Sequence, residues 1–134
     1  MYVQYSNVSI DGTTSYDYNN CNDRGGAISA LKSEVRITGN TSFAHNSATS
    51  YGGAVHANNS TVNMDGYTSF YGNTGPSFGG ATHAQSSKVS MKGTVSYEYN
   101  EASFSGGAVR GYDSEINIVG NSFFSHNSAS TFGG

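Results

Sequence analysis

Gly25-Gly26-Ala27, Gly52-Gly53-Ala54, Gly79-Gly80-Ala81 and Gly106-Gly107-Ala108 follow one another at intervals of 27 residues, and Gly133-Gly134 falls one interval further on. A second signature keeps the same step. It is an aromatic residue, two variable residues and an asparagine, at Tyr16/Asn19, Phe43/Asn46, Phe70/Asn73, Tyr97/Asn100 and Phe124/Asn127. Two unrelated motifs held in one phase over five copies, without insertion or deletion, mark a repeat architecture and not a low-complexity tract. Counted from the glycine pairs, residues 1–24 form a partial coil, 25–51, 52–78, 79–105 and 106–132 form complete coils, and 133–134 begin another. Residues 1–134 therefore read as one segment, expected to belong to a longer array because neither end resembles the polar cap that a repeat stack needs.

The period accounts for the composition. Of 18 glycines, ten lie in the pairs and five in a second column, Gly12, Gly39, Gly66, Gly93 and Gly120, so they read as corner residues of a regular coil. Charged residues make up only 11% of the chain, and the formal charge of −3 offers no basic field for nucleic acid or an anionic membrane. No apolar run approaches the ~20 residues that span a bilayer, so no membrane insertion by this segment is expected. Cys21 is the only cysteine; Ala48, Gly75, Ala102 and Ala129 occupy its column, which makes it a small buried filler.

Within each coil the apolar residues alternate with polar ones, as in strands. Val8/Ile10, Val35/Ile37, Val62/Met64, Val89/Met91 and Ile116/Ile118 alternate with Asn7/Ser9, Glu34/Arg36, Thr61/Asn63, Lys88/Ser90 and Glu115/Asn117, and each run ends at the column glycine. A strand is expected before this one, carrying Ile28/Ala30 and Val55/Ala57 inward. Another is expected after it, carrying Thr41/Phe43 and Thr68/Phe70. Three short strands per coil, each in register with its own copy one coil later, define an all-β parallel β-helix (solenoid) of about five coils. Residue i then lies about 4.8 Å from residue i+27, which stacks the aromatics, the aliphatics and the asparagines into ladders. A serine column, Ser6, Ser33, Ser60, Ser87 and Ser114, is expected to satisfy a backbone group at a corner.

These motifs resemble the repeat of the chlamydial polymorphic membrane proteins, with FAHNSATSYGGAV at Phe43 to Val55, FYGNTGPSFGGAT at Phe70 to Thr82, and FSHN at Phe124 to Asn127. Tyr16 and Tyr97 depart from the Phe of that pattern, and Val55 and Thr82 from its Ile. The resemblance implies a secreted, surface-displayed, right-handed β-helix acting as an adhesin passenger, exported by a separate barrel. It also implies that adhesion maps to Phe43/Asn46, Phe70/Asn73 and Phe124/Asn127, and to Tyr16/Asn19 and Tyr97/Asn100. Physical chemistry reads the same columns as core filler and an amide ladder. Display would then fall to their variable neighbours, Tyr18, His45, Tyr71, Tyr99 and His126, with Asp17, Ala44, Glu98 and Ser125 beside them.

No constellation for chemistry stands out. Asp11 and Asp65 share a column two coils apart, Glu34 and Glu115 share one three coils apart, and neither pair has acidic neighbours. His56 and His83 stack one coil apart with Arg110 next in line; no ligand completes a metal site, and a solvated ladder is expected. No catalytic residue, metal or cofactor is expected. The expected function is adhesion to a host or neighbouring cell-surface protein or glycan. The alternative is a structural module whose copies stack end to end into a filament, with Val119 and Phe123 as contacts because polar residues hold those positions in most other coils. A polysaccharide-active β-helix enzyme is the remote alternative.

Overall fold

A computed structural model describes all 134 residues and contains no helix. The chain winds as a parallel β-solenoid of about five coils, and every strand pairs with its own copy 27 residues away: Val62 with Val35 and Val89, Phe70 with Phe43 and Tyr97. The first sheet stacks Tyr2–Gln4, Ile28–Leu31, Val55–Asn58, Thr82–Gln85 and Val109–Tyr112.

The boundaries of the other two sheets differ from the sequence reading. Two strands separated by the column glycine are present in the first two coils, Asn7–Asp11 with Thr14–Asp17 and Glu34–Thr38 with Thr41–Ala44. From the third coil on they fuse into single strands, Thr61–Tyr71, Lys88–Glu98 and Glu115–Ser125. Positive φ is common to the whole column, +98° at Gly39 as well as +100° at Gly93 and +122° at Gly66, so every coil turns here on a backbone that glycine adopts without strain, whether or not the pairing runs through it. A Cβ built on Gly66 would lie 2.4 Å from the carbonyl oxygen of Gly39, so the column is glycine because its coils touch through backbone. The third sheet consists of two-residue strands just after the asparagines, Asn20–Cys21, Ser47–Ala48, Thr74–Gly75, Glu101–Ala102 and Ser128–Ala129. Hydrophobic periodicity cannot show so short a strand.

The core is a set of columns running along the solenoid axis. Val35, Val62 and Val89 stack, as do Ile37, Met64 and Met91, and the alanines after each glycine pair fill the narrow corner beside them. Phe43, Phe70 and Tyr97 are fully buried and stack nearly parallel at 4.8 and 4.4 Å. Tyr16 and Phe124 continue that stack at its two ends, both at 5.0 Å, and Phe124 remains half exposed because no coil lies over it. Cys21 is only half-buried for the same reason, whereas Ala48 and Ala102 in its column are fully enclosed.

Two polar ladders close the corners. In each serine the hydroxyl donates to the carbonyl two residues back, as Ser60 does to Asn58 at 2.8 Å, and from Ser33 onward it also accepts the backbone N–H of the serine one coil earlier, as Ser60 does from Ser33 at 3.1 Å. In the asparagine ladder, Asn73 Nδ2 donates to Asn100 Oδ1 at 3.0 Å and to the Phe43 carbonyl at 2.9 Å. Its Oδ1 accepts both the backbone N–H and Nδ2 of Asn46. Every polar atom of a fully buried amide is thereby used, as burial requires.

Candidate functional site

The asparagine ladder also fixes what the surface shows. Because Asn19, Asn46, Asn73, Asn100 and Asn127 turn inward, the residue before each must carry the chain around the corner. It does so in the left-handed region: Tyr18 at φ +55°, His45 at +53°, Gly72 at +61°, Tyr99 at +54° and His126 at +52°. Glycine or asparagine occupies this region with least strain; a bulky side chain there costs on the order of 1–3 kcal/mol. The opposite corner adopts the same backbone at Tyr5, Lys32, Asn59, Ser86 and Asp113, a mixed set. Corner geometry therefore does not demand rings, yet four of the five residues in the ladder column are aromatic or imidazole.

The fifth position is filled from next door. Gly72 leaves a gap into which His45 packs, so that a Cβ on Gly72 would lie 2.8 Å from His45 Nδ1, and the adjacent Tyr71 leans into the line. The result is one continuous ladder of exposed rings. Tyr18 stacks on His45 at 5.0 Å and 18°, His45 meets Tyr71 at 5.4 Å and 83°, Tyr71 meets Tyr99 at 5.5 Å and 61°, and Tyr99 stacks on His126 at 4.7 Å and 11°. All five residues are exposed. The structure thus brings together the five variable residues singled out from the sequence. It buries the motif residues Phe43, Asn46, Phe70, Asn73, Tyr97 and Asn100 behind them. Asp17 and Glu98 flank the rings, each accepting a hydroxyl hydrogen bond at 2.5 Å, from Ser15 and Ser96.

A second aromatic cluster lies at the glycine-pair corner, and it corrects the reading of the histidines. His56 and His83 stack at 5.6 Å and 8°, as register requires, but they are buried, not solvated. Tyr51 and Phe78, each immediately before a glycine pair, lie over them: Tyr51 is 5.0 Å from His83 and stacks on Phe78 at 5.6 Å. Arg24 caps Tyr51 at 5.1 Å and Arg110 caps Phe78 at 3.8 Å. Burial, with Arg24 adding to it, lowers the His56 pKa to about 4; burial, then His56, Arg110 and Arg24, lowers that of His83 to about 3. Neither His56 Nε2 nor His83 Nδ1 has a hydrogen-bond partner. The sequence signal for this cover was the residue preceding each glycine pair, where Arg24, Tyr51, Phe78 and Phe132 form a column of rings and one guanidinium, interrupted by Ser105.

The remaining sequence candidates are dispersed. Val119 and Phe123 lie exposed on the outer face of the last long strand, in register with Lys92 and Ser96. Asp11 and Asp65 sit in one column with Thr38 between them, its hydroxyl donating to Asp11. Glu115 pairs with Lys88 at 3.2 Å, far from Glu34 by coil count. No three side chains of metal-binding type converge.

Residues 35–61, one full period, match the family model for the Chlamydia polymorphic membrane protein repeat. No curated protein and no solved structure matches the chain. The matched repeat runs from Val35 of the aliphatic ladder through Phe43, Asn46 and the Gly52-Gly53 pair, so it spans both motifs and the ladder residue His45.

Proposed function

We propose that this solenoid is part of a surface-displayed passenger whose activity is adhesion, and that the exposed ladder Tyr18, His45, Tyr71, Tyr99 and His126 is its contact face. The repeat match and the β-solenoid fold fit a surface passenger domain. The observation that carries adhesion is the placement of four of these rings, all but Tyr71, at left-handed corners, where they are costly to hold and contribute nothing to the core. Exposed aromatic residues in one line are the composition of a binding hot spot, since a ring supplies a large contact area for little loss of side-chain entropy. On this reading the aromatic-x-x-Asn motif is scaffold: its ring fills the core and its amide sets the corner, while the two variable residues make the contact.

The test is adhesion of cultured animal cells to the immobilised protein. The triple variant His45→Ser, Tyr71→Ser, Tyr99→Ser should lose most binding while keeping the circular dichroism and melting behaviour of the parent. The pair Val119→Asp, Phe123→Ser removes exposed apolar groups elsewhere and should bind as the parent does. Equal adhesion by the triple variant would overturn the assignment.

A further inference from the structure

The ladder lies on a side of the coil that has no cation of its own, and we infer that its partner is a basic protein segment whose arginine or lysine side chains seat on Tyr71 and Tyr99. This rests on the adhesion reading and names the chemistry of what adheres. Strand register maps each charge around the perimeter. Between the glycine column at Gly12, Gly39, Gly66, Gly93 and Gly120 and the residues just short of the glycine-pair corner, the chain places Asp17, Asp23, Glu98 and Glu101 and none of its six lysines and arginines. Asp23 is paired with Arg24 at 3.3 Å, but Asp17 and Glu98 meet only serine hydroxyls. The rest of the perimeter holds all six cations against the other five acids. The molecule's negative charge is therefore concentrated on the face that carries the rings.

Elsewhere the protein seats its own cations on rings. Arg24 lies over Tyr51, Lys32 over Tyr5 at 5.4 Å and Arg110 over Phe78. The ladder is an exposed aromatic run with no such occupant. Its geometry also leaves one exposed ring, Tyr71, unstacked. Tyr18/His45 and Tyr99/His126 are stacked along the axis and cover one another, whereas Tyr71 stands at 83° to His45 and 61° to Tyr99, so these neighbours do not lie flat on it. Glu98 is the strand partner of Tyr71 in the next coil. A guanidinium laid on Tyr71 would find a ring face beneath it and a carboxylate one coil away, the pairing of cation–π and charge that favours arginine. The same acidic side repels sulfated or uronic glycans.

The experiment is fluorescence anisotropy of a labelled oligo-arginine peptide titrated with the folded chain, with heparin and a neutral cello-oligosaccharide as competitors. Saturable binding that weakens with added salt and is unaffected by the neutral sugar is expected. Tyr71→Ala and Glu98→Gln should each weaken it at least fivefold. Asp65→Asn, which removes the same charge from the other face, should leave it unchanged. Equal loss in Asp65→Asn and Glu98→Gln would reduce the effect to net charge and overturn the proposal. So would full affinity in Tyr71→Ala, or displacement by the neutral sugar. If the ladder variants lose cell adhesion while the parent ignores oligo-arginine, adhesion stands and the basic partner falls; if they keep adhesion, the adhesion reading itself falls.

Discussion

At the scale of single residues, the repeat is held by groups whose partners lie one coil away, so each substitution is felt by two neighbours. Phe70 is sealed between Phe43 and Tyr97, and Phe70→Ala should cost about 3–5 kcal/mol in urea unfolding, the range for deleting a buried ring. Asn73→Asp tests the amide ladder with almost no change of shape. A carboxylate still accepts from Asn46 but cannot donate to Asn100 Oδ1 or the Phe43 carbonyl, and it sets a buried charge beside both. It should destabilise at neutral pH by more than Asn73→Ala, itself expected to cost about 3 kcal/mol. Thr82 and Tyr97, which each departed from the repeat pattern in sequence, turn out to answer one another: their hydroxyls meet at 3.1 Å inside the core, and Tyr97 Oη also donates to Met91 Sδ at 3.3 Å. Thr82→Val and Tyr97→Phe should each cost about 1–2 kcal/mol, while the double variant should cost less than their sum, because it leaves no orphaned hydroxyl. A single repeat unit cannot disclose this pairing, since the two positions lie 15 residues apart in sequence and on different strands.

At the scale of elements, the stacked histidines give the first sheet a pH dependence of defined sign. In the unfolded chain both titrate near 6.5, whereas in the fold they titrate at about 4 and about 3, chiefly because burial disfavours the imidazolium. The unfolded state therefore binds more protons as pH falls below 6.5. Stability is complete above that value and declines by about 1.4 kcal/mol per pH unit for each histidine, until pH reaches its folded pKa. Urea midpoints between pH 6.5 and 4.5 should fall steeply in the parent and stay nearly level in His56→Phe, His83→Phe, whose rings fit the stack under Tyr51 and Phe78. A parent midpoint that does not move over this range would contradict the burial. Period and alternation in the sequence placed these two side chains over one another and facing away from the aliphatic core. They could not reveal the cover, because burial by Tyr51 and Phe78 comes from a neighbouring corner and not from the strand's own pattern. The fused strands and the two-residue strands were hidden for a related reason. Glycine reads as a break when alone, but in a column it becomes a backbone contact that lets pairing continue.

At the scale of the whole molecule, stability is close to a sum of coils and coil-to-coil contacts, which makes the period itself a variable that can be changed. Deleting residues 52–78 joins Tyr51 to Gly79, the same dipeptide as Tyr51-Gly52, and brings Phe43 against Tyr97 and Asn46 against Asn100 in the positions that Phe70 and Asn73 held. This shortened chain should keep its β-rich circular dichroism and unfold cooperatively at a lower urea midpoint. Deleting residues 52–64 removes about half a period; it would drive polar outer residues such as Glu34 and Arg36 out of register with the columns they pair with, and it should not fold. The in-phase deletion also takes out His56 and Tyr71 together. Removing His56 and Phe78 leaves one imidazole, beside Ser29 and with Tyr51 as its only ring cover, so the loss of stability between pH 6.5 and 4.5 should be at most half that of the parent. Removing Tyr71 and Gly72 lets His45 meet Tyr99 directly in one column, restoring an unbroken stack without the turned ring. Cell adhesion by this variant then separates two properties of the face. If ring number and line suffice, the shortened ladder binds nearly as well as the parent; if the unstacked ring of Tyr71 is what the partner uses, adhesion is lost from a solenoid that is otherwise intact.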